Sequence, residues 1–356
     1  MAMDAERFET MKDDYRRHIL RKVLFIAVCI VLMVIAMAVS ITIGAYEISI
    51  QRVYEVIWDH ITGVQLEYGS REWYDDQIVW NGRLPRVVFA IMAGIGLAVS
   101  GVTMQSIMKN PLAEPYTTGV SSGAYLGVAM SMALGFNLVG GSAVNSFLFA
   151  LIPVVIMICL SPRFNDSVAS IILIGTALTY MFNAFSTLIL VSSDSETLES
   201  VYRWQVGSLT NMSWDQTVVV AVVVIIGSAA IMLLSRKLNL MMMGDESAQT
   251  LGLNVRRLRV VCLVIMALIV AFIVTYSGII GFIGLICPHI IRLVIGSDNR
   301  FVIPAASAFG AAFLLISDTL AKYLSDLDAV PVGVICSLIG APMFLIILIR
   351  NRRGIW

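Results

Sequence analysis

Apolar runs of about 20 residues recur along nearly the whole chain, and this constrains the sequence more than any other feature. They lie at 23–43, 87–107, 116–135, 144–160, 168–191, 216–234, 260–277, within 277–296, and at 302–320 and 331–349. A helix of that length crosses the hydrocarbon of a bilayer and satisfies its own backbone N–H and C=O groups where no water can. Ten such runs predict an all-α polytopic membrane protein with ten transmembrane helices. Composition agrees. Hydrophobic residues make up 58% of the chain and charged residues 13%, against about 25% charged in soluble domains. Placing the N-terminus in the cytoplasm puts 18 of the 24 Lys and Arg on inner segments and six on outer ones. That is the expected positive-inside bias. It predicts cytoplasmic termini at 1–22 and 350–356 around a transmembrane domain at 23–349.

Ala90, Gly94 and Ala98 recur every four residues, leaving one face of the second span nearly smooth, so that a neighbouring helix can approach closely. The polar turn NPLAEP at 110–115 follows it. The fifth span carries Thr176, Thr179, Asn183 and Thr187 on one side. Such a stripe serves either hydrogen bonds between helices or the lining of a pathway. The glycines of 277–296, with Pro288 in mid-run, predict a broken or shortened eighth span. A tripeptide at Ala36–Ala38 resembles a signal cleavage site, but the run continues past it, so an uncleaved first span is expected.

Two polar segments are too patterned to be plain linkers. The external segment 44–86 mixes acidic residues with Tyr and Trp, and 51–61 reads as a short helix on the membrane surface with its aromatics at headgroup level. The inner loop 236–259 contains a short helix that Asp245 or Ser247 would cap and Gly252 would stop, followed by Arg256, Arg257 and Arg259.

Bond chemistry has no seat here. There is no Gly-rich loop ending in Lys-Ser/Thr, no HExxH and no catalytic triad. Cys29, Cys159, Cys262, Cys287 and Cys336 each lie alone in apolar runs and read as fillers. A formal net charge of zero argues against a nucleic-acid partner. Asp318 and Lys322 stand one helical turn apart and form an expected ion pair, either structural or gating. Arg83 and Arg86 at the outer mouth of the second span either anchor at the interface or meet an acidic partner outside. His289 and Arg292 lie a turn apart near the inner end of the eighth span, with no further metal-ligand candidate beside them.

Several separated motifs together resemble the FecCD/BtuC permease family of ATP-binding-cassette importers: RLPR at 83–86, SGVTMQSIMKNPLAEP at 100–115, GVSSGA at 119–124, GDESAQTLGLNVRRLR at 244–259, SGIIGFIGLICPHIIRL at 277–293, SDTLAK at 317–322 and PVGVICSLIGAPMF at 331–344. The resemblance implies a BtuC-like fold, a homodimer in a prokaryotic cell membrane, two cytoplasmic ATPase subunits holding the ATP and Mg, and an extracytoplasmic solute-binding protein. The chain itself would bind no cofactor and hydrolyse nothing. It further implies ATPase coupling through Asp245, Glu246, Leu251, Gly252, Arg256 and Arg257. Docking of the binding protein would fall to Arg83, Arg86 and Lys322, and the pathway would run along Thr176, Thr179, Asn183 and Thr187. The expected cargo is a bulky metal chelate, with ferric siderophore first and cobalamin or haem as alternatives. An ion-coupled secondary transporter is the competing class. The external segment is longer and more acidic than in compact members of the family.

Overall fold

The computed structural model describes residues 2–44, 46–138, 141–164, 167–324 and 330–350; the tail expected at 351–356 lies outside them. Helix α1 (Ala2–Thr42) carries the first apolar run. On the side that the charge bias assigns to the exterior, called outer below, α2 (Ile50–Thr62) and α3 (Arg71–Asp76) lead through a π-helical segment, Gln77–Arg83, directly into α4 (Leu84–Met108). Then follow α5 (Val120–Leu134), α6 (Ser142–Leu160), α7 (Val168–Val191), α8 (Ser195–Gln205) and α9 (Trp214–Leu233). The remainder is α10 (Ser235–Met242), α11 (Asp245–Thr250), α12 (Val255–Ser277), α13 (Ile283–Ile295), α14 (Asn299–Tyr323) and α15 (Val332–Arg350). Among the described residues no strand occurs.

Among the described residues eight helices are long and apolar enough to cross a bilayer, and the fold is that of an all-α polytopic membrane protein. The other two expected spans are short: α5 has 15 residues and α13 has 13. At 1.5 Å per residue both fall below the roughly 30 Å of a hydrocarbon core. The chain enters α5 through a 3₁₀ turn, Pro115–Thr118, and Gly119 at φ 86°.

Local chemistry sets the helix starts. Ser167 accepts from the Ser170 N–H at the head of α7, Asn254 from Arg257 at the head of α12, and Ser213 forms a capping box with Gln216 at the head of α9. Each satisfies donors that the first turn leaves free.

Helix α4 is the hub, with its apolar window almost wholly buried by the neighbouring helices. The small residues read from the sequence explain how. A Cβ on Gly94 would lie 2.5 Å from the Gly310 carbonyl oxygen, and one on Gly310 would lie 2.6 Å from that of Gly94. The backbones of α4 and α14 therefore touch, and dispersion between them replaces the hydrophobic drive that lipid does not supply.

One expectation is met and one needs correction. The eighth span is broken and shortened as expected: the break lies at 278–282, where Gly278 and Phe282 adopt positive φ, and Pro288 sits inside α13. Proline there costs the bond to the carbonyl four residues back, that of Gly284. This carbonyl packs against Gly101 of α4, which has no Cβ to collide with it. The helix in the inner loop is present as Asp245–Thr250, yet neither Asp245 nor Ser247 caps it; the cap position is Gly244, which makes no side-chain bond. The stretch after α7 contains α8, capped by Asp194.

Candidate functional site

Two charged clusters stand at opposite ends of the bundle, and they are built differently.

At the outer end Asp318 of α14 is fully buried (0% exposed). Arg86, one turn into α4, grips it through Nε at 3.0 and 3.1 Å and Nη2 at 2.8 Å. Lys322 approaches the same carboxylate at 3.1 Å and also lies 3.3 Å from the Ser40 hydroxyl of α1. The i,i+4 pair expected from sequence is thus one arm of a three-residue lock joining α1, α4 and α14. Arg83 is spent differently. Its Nη1 donates to the Ile41 and Thr42 carbonyls at 3.1 and 2.9 Å, and its Nη2 donates to the Tyr46 carbonyl. The guanidinium ties off the end of α1, where the last carbonyls have no helical partner.

The external segment braces this corner. His60 Nδ1 meets Asp76 Oδ1 at 2.8 Å while its ring stacks on Trp80, with centroids 3.8 Å apart. The Trp214 indole N–H donates to the Trp80 carbonyl at 2.8 Å, fastening α9 to the π-helical segment.

At the inner end Asp245 opens α11. Its carboxylate lies between Arg259 of α12, at 2.9 Å, and Lys109, which ends α4 in the left-handed region (φ 51°), at 3.1 Å. Partial burial by itself would raise the Asp245 carboxyl, but Arg259 and Lys109 outweigh it and hold it below the usual carboxylate range. The helix offers Glu246 and Leu251 outward, and Gly252 (φ 82°) turns the chain toward the exposed Arg256 and Arg257.

Next to this helix is a second knot whose centre, Arg292, stood out in the sequence only as a neighbour of His289. Its guanidinium donates to Gln105, Ser106 and the Val102 carbonyl of α4, to Asn299 of α14 and to the Ser297 carbonyl. No sequence signal marks these partners, which lie up to 190 residues away. Asp298, capping α14, takes Arg300 and Asn239 and is pulled down to about 2, first by the Arg300 hydrogen bond.

On α7 the four polar residues make no hydrogen bond to another helix among the described residues. Thr179 and Thr187 donate back to the Gly175 and Asn183 carbonyls at 2.8 and 2.9 Å. Thr176, Asn183 and Thr187 are exposed on the single chain, while Gly175, Phe182 and Ser186 on the other side are buried. Thr176, Asn183 and Thr187 therefore form a free polar face in an otherwise apolar helix, with Thr179 half-buried at its edge.

A bilayer-spanning helical bundle with an uncharged polar face along one helix, charged locks at its ends and a short presented helix on one side defines a transport permease. Residues 32–350 match the FecCD transport family, and the chain belongs to that family. It is 35% identical over 336 residues to the hemin transport system permease protein HmuU of Yersinia pestis, covering 93% of this chain and 96% of that one. It is 32% identical over 325 residues to the molybdate import system permease protein MolB of Haemophilus influenzae, covering 91% and 94%. A solved structure of an inward-facing transporter, provisionally assigned to the metal-chelate ABC type, superposes with a TM-score of 0.80 at 30% identity, covering 91% of this chain and 98% of that one. The protein is thus a multi-pass membrane permease of the ABC transporter class.

Proposed function

We propose that this permease imports a bulky metal chelate, with ferric siderophore the first choice and haem or cobalamin next. The observation that carries the reading is the free face of α7. Thr176, Thr179, Asn183 and Thr187 offer weak, uncharged hydrogen-bonding groups beside Tyr180 and Met181. Such a lining suits a large organic ligand shell that must be passed on. A bare ion would need several fixed ligands to replace its water. The molybdate relative makes an oxyanion the alternative to be tested.

In this reading two copies face each other across the pathway, ten helices each, with the short α5 and α13 counted as spans. Both termini are cytoplasmic. Two ATPase subunits seat on Glu246, Leu251, Gly252, Arg256 and Arg257 of each loop, and Asp245 transmits their motion. A solute-binding protein docks outside. Of the three cations assigned to docking, Arg86 retains an unengaged Nη1 for a partner carboxylate, whereas Arg83 and Lys322 are committed within the chain. The ion-coupled alternative would need a carboxylate free to exchange protons at membrane depth, and Asp318 is clasped by two cations.

The test is ATP-driven uptake into vesicles holding the permease, its ATPase and its binding protein, supplied in turn with a ferric siderophore, haem, cobalamin and molybdate. Uptake of one chelate supports the proposal. Uptake of molybdate alone contradicts the cargo class, and accumulation without ATPase contradicts the mechanism.

A further inference from the structure

The outer helix α2 carries three faces. Val53 and Val56 are buried in the common core, with Arg52 and His60 on their flanks held by Asp75 and Asp76. Gln51, Glu55 and Thr62 form a polar face toward water. The third face is apolar and uncovered. Ile50, Tyr54, Trp58 and Ile61 follow one another at four-, four- and three-residue steps and so share one stripe of the helix. Ile50, Trp58 and Ile61 are 64%, 67% and 65% exposed. A helix in plain water has no reason to present Trp and two Ile this way, since a stripe of this kind is what buries apolar area against a neighbour.

The surroundings of the stripe identify what covers it. The Tyr54 hydroxyl donates to the Ala38 carbonyl at 3.1 Å, about one turn below the end of α1. On α1 the exposed Val31, Ile35 and Val39 climb one face at four-residue steps toward that point. The α1 window is also the least buried of the candidate spans among the described residues, and an apolar face left bare on a bilayer-spanning helix is one that lipid can cover. The apolar stripe of α2 thus continues the exposed apolar surface of α1 up to the polar boundary. The polar face of Gln51, Glu55 and Thr62 lies about a quarter of a turn away, toward water. Trp and Tyr with apolar bodies and polar tips settle at that level.

We propose that α2 lies in the outer headgroup layer of the bilayer, with Ile50, Trp58 and Ile61 inserted at the acyl boundary, and that the partner of this face is the lipid itself. The external segment is then a membrane-seated strut. Through His60–Asp76 and Trp80–Trp214 it holds the π-helical entrance to α4 at a fixed depth. This inference depends only on the bundle spanning a bilayer and stands whichever cargo is carried.

The full chain in vesicles of phosphatidylcholine and phosphatidylglycerol, brominated near the ester end of the acyl chains, gives the test. The emission due to Trp58, taken as wild type minus Trp58→Phe, should fall at least twofold on bromination and be insensitive to iodide in the water. As an independent reading, Glu55→Cys should react with an impermeant maleimide at least tenfold faster than Trp58→Cys, after subtraction of the native cysteines. Quenching of Trp58 by iodide, or equal labelling at both positions, overturns the proposal in favour of a water-facing helix. Insensitivity to both quenchers overturns it in favour of a protein partner, as does loss of lipid quenching when the binding protein is added.

Discussion

The outer and inner charged clusters use the same parts, one carboxylate between two cations drawn from different helices, and build them to opposite ends. Asp318 is 0% exposed, and Arg86 holds it through two nitrogens at hydrogen-bond distance. The Asp245 side chain is 30% exposed and sits on a six-residue helix whose other polar residues point outward. In a buried cluster each charge depends on the others, because no water replaces a lost partner. In the inner cluster Asp245 and Lys109 stay about one-third exposed, so water can replace that arm, whereas the Arg259 side chain is 4% exposed and depends on the carboxylate. The outer cluster is a lock that keeps α1, α4 and α14 one body. The inner one joins α11 to the ends of α4 and α12 and, in the function proposed above, is the handle through which the ATPase acts.

Breaking the lock should have the largest effect. Asp318→Ala strands Arg86 and Lys322 in the bundle, and a loss of about 3–5 kcal/mol is expected, read as a steep fall in the melting temperature of the detergent-solubilised protein. If Asp318→Ala melts within a degree or two of wild type, the lock is not structural. Next comes the seam below it. Gly310→Ala drives a methyl into the Gly94 carbonyl, since the new Cβ would stand 2.6 Å away; overpacking of this kind costs about 1–3 kcal/mol. Gly252→Ala on the handle, where no atom lies within 4 Å of the new Cβ but φ is 82°, should be milder and should show in coupling more than in melting.

The smallest effect sharpens the inner side. Asp298→Ala removes the α14 cap and should cost about 1 kcal/mol. The Asp298 carboxyl is depressed to about 2, so its contribution is present in full above the ordinary carboxylate range near pH 4 and is lost as pH falls through about 2. The melting difference between wild type and the variant should therefore shrink between those limits and stay constant above them.

Much of this was legible in the sequence. Eight of the ten expected spans follow from run length, while α5 and α13, at 15 and 13 residues, do not. The four-residue spacing of Ala90, Gly94 and Ala98 gave the close approach of α4, though not its partner, because Gly310 is far along the chain. Asp318 and Lys322 were visible as a pair because a helical turn separates them. Arg86 was not visible as the third member, since it is 232 residues from Asp318 and its position suggested an outward role. The same blindness explains Asp245. Local pattern made it a cap, but Lys109 and Arg259 claim the carboxylate, and only the tertiary fold brings them together. The glycines of 277–296 mark the broken eighth span in the sequence, but why Pro288 is tolerated inside α13 is not legible there, because Gly101, which accommodates the Gly284 carbonyl, lies on another helix.

The central claim is that the inner cluster transmits ATPase motion while the outer cluster does not yield. Measuring cargo uptake and ATP hydrolysis together, in vesicles containing the complete transporter, tests it directly. With Asp245→Asn, the permease should still assemble and hydrolysis should continue, while cargo delivered per ATP drops at least tenfold. Unchanged delivery per ATP in that variant would contradict the account.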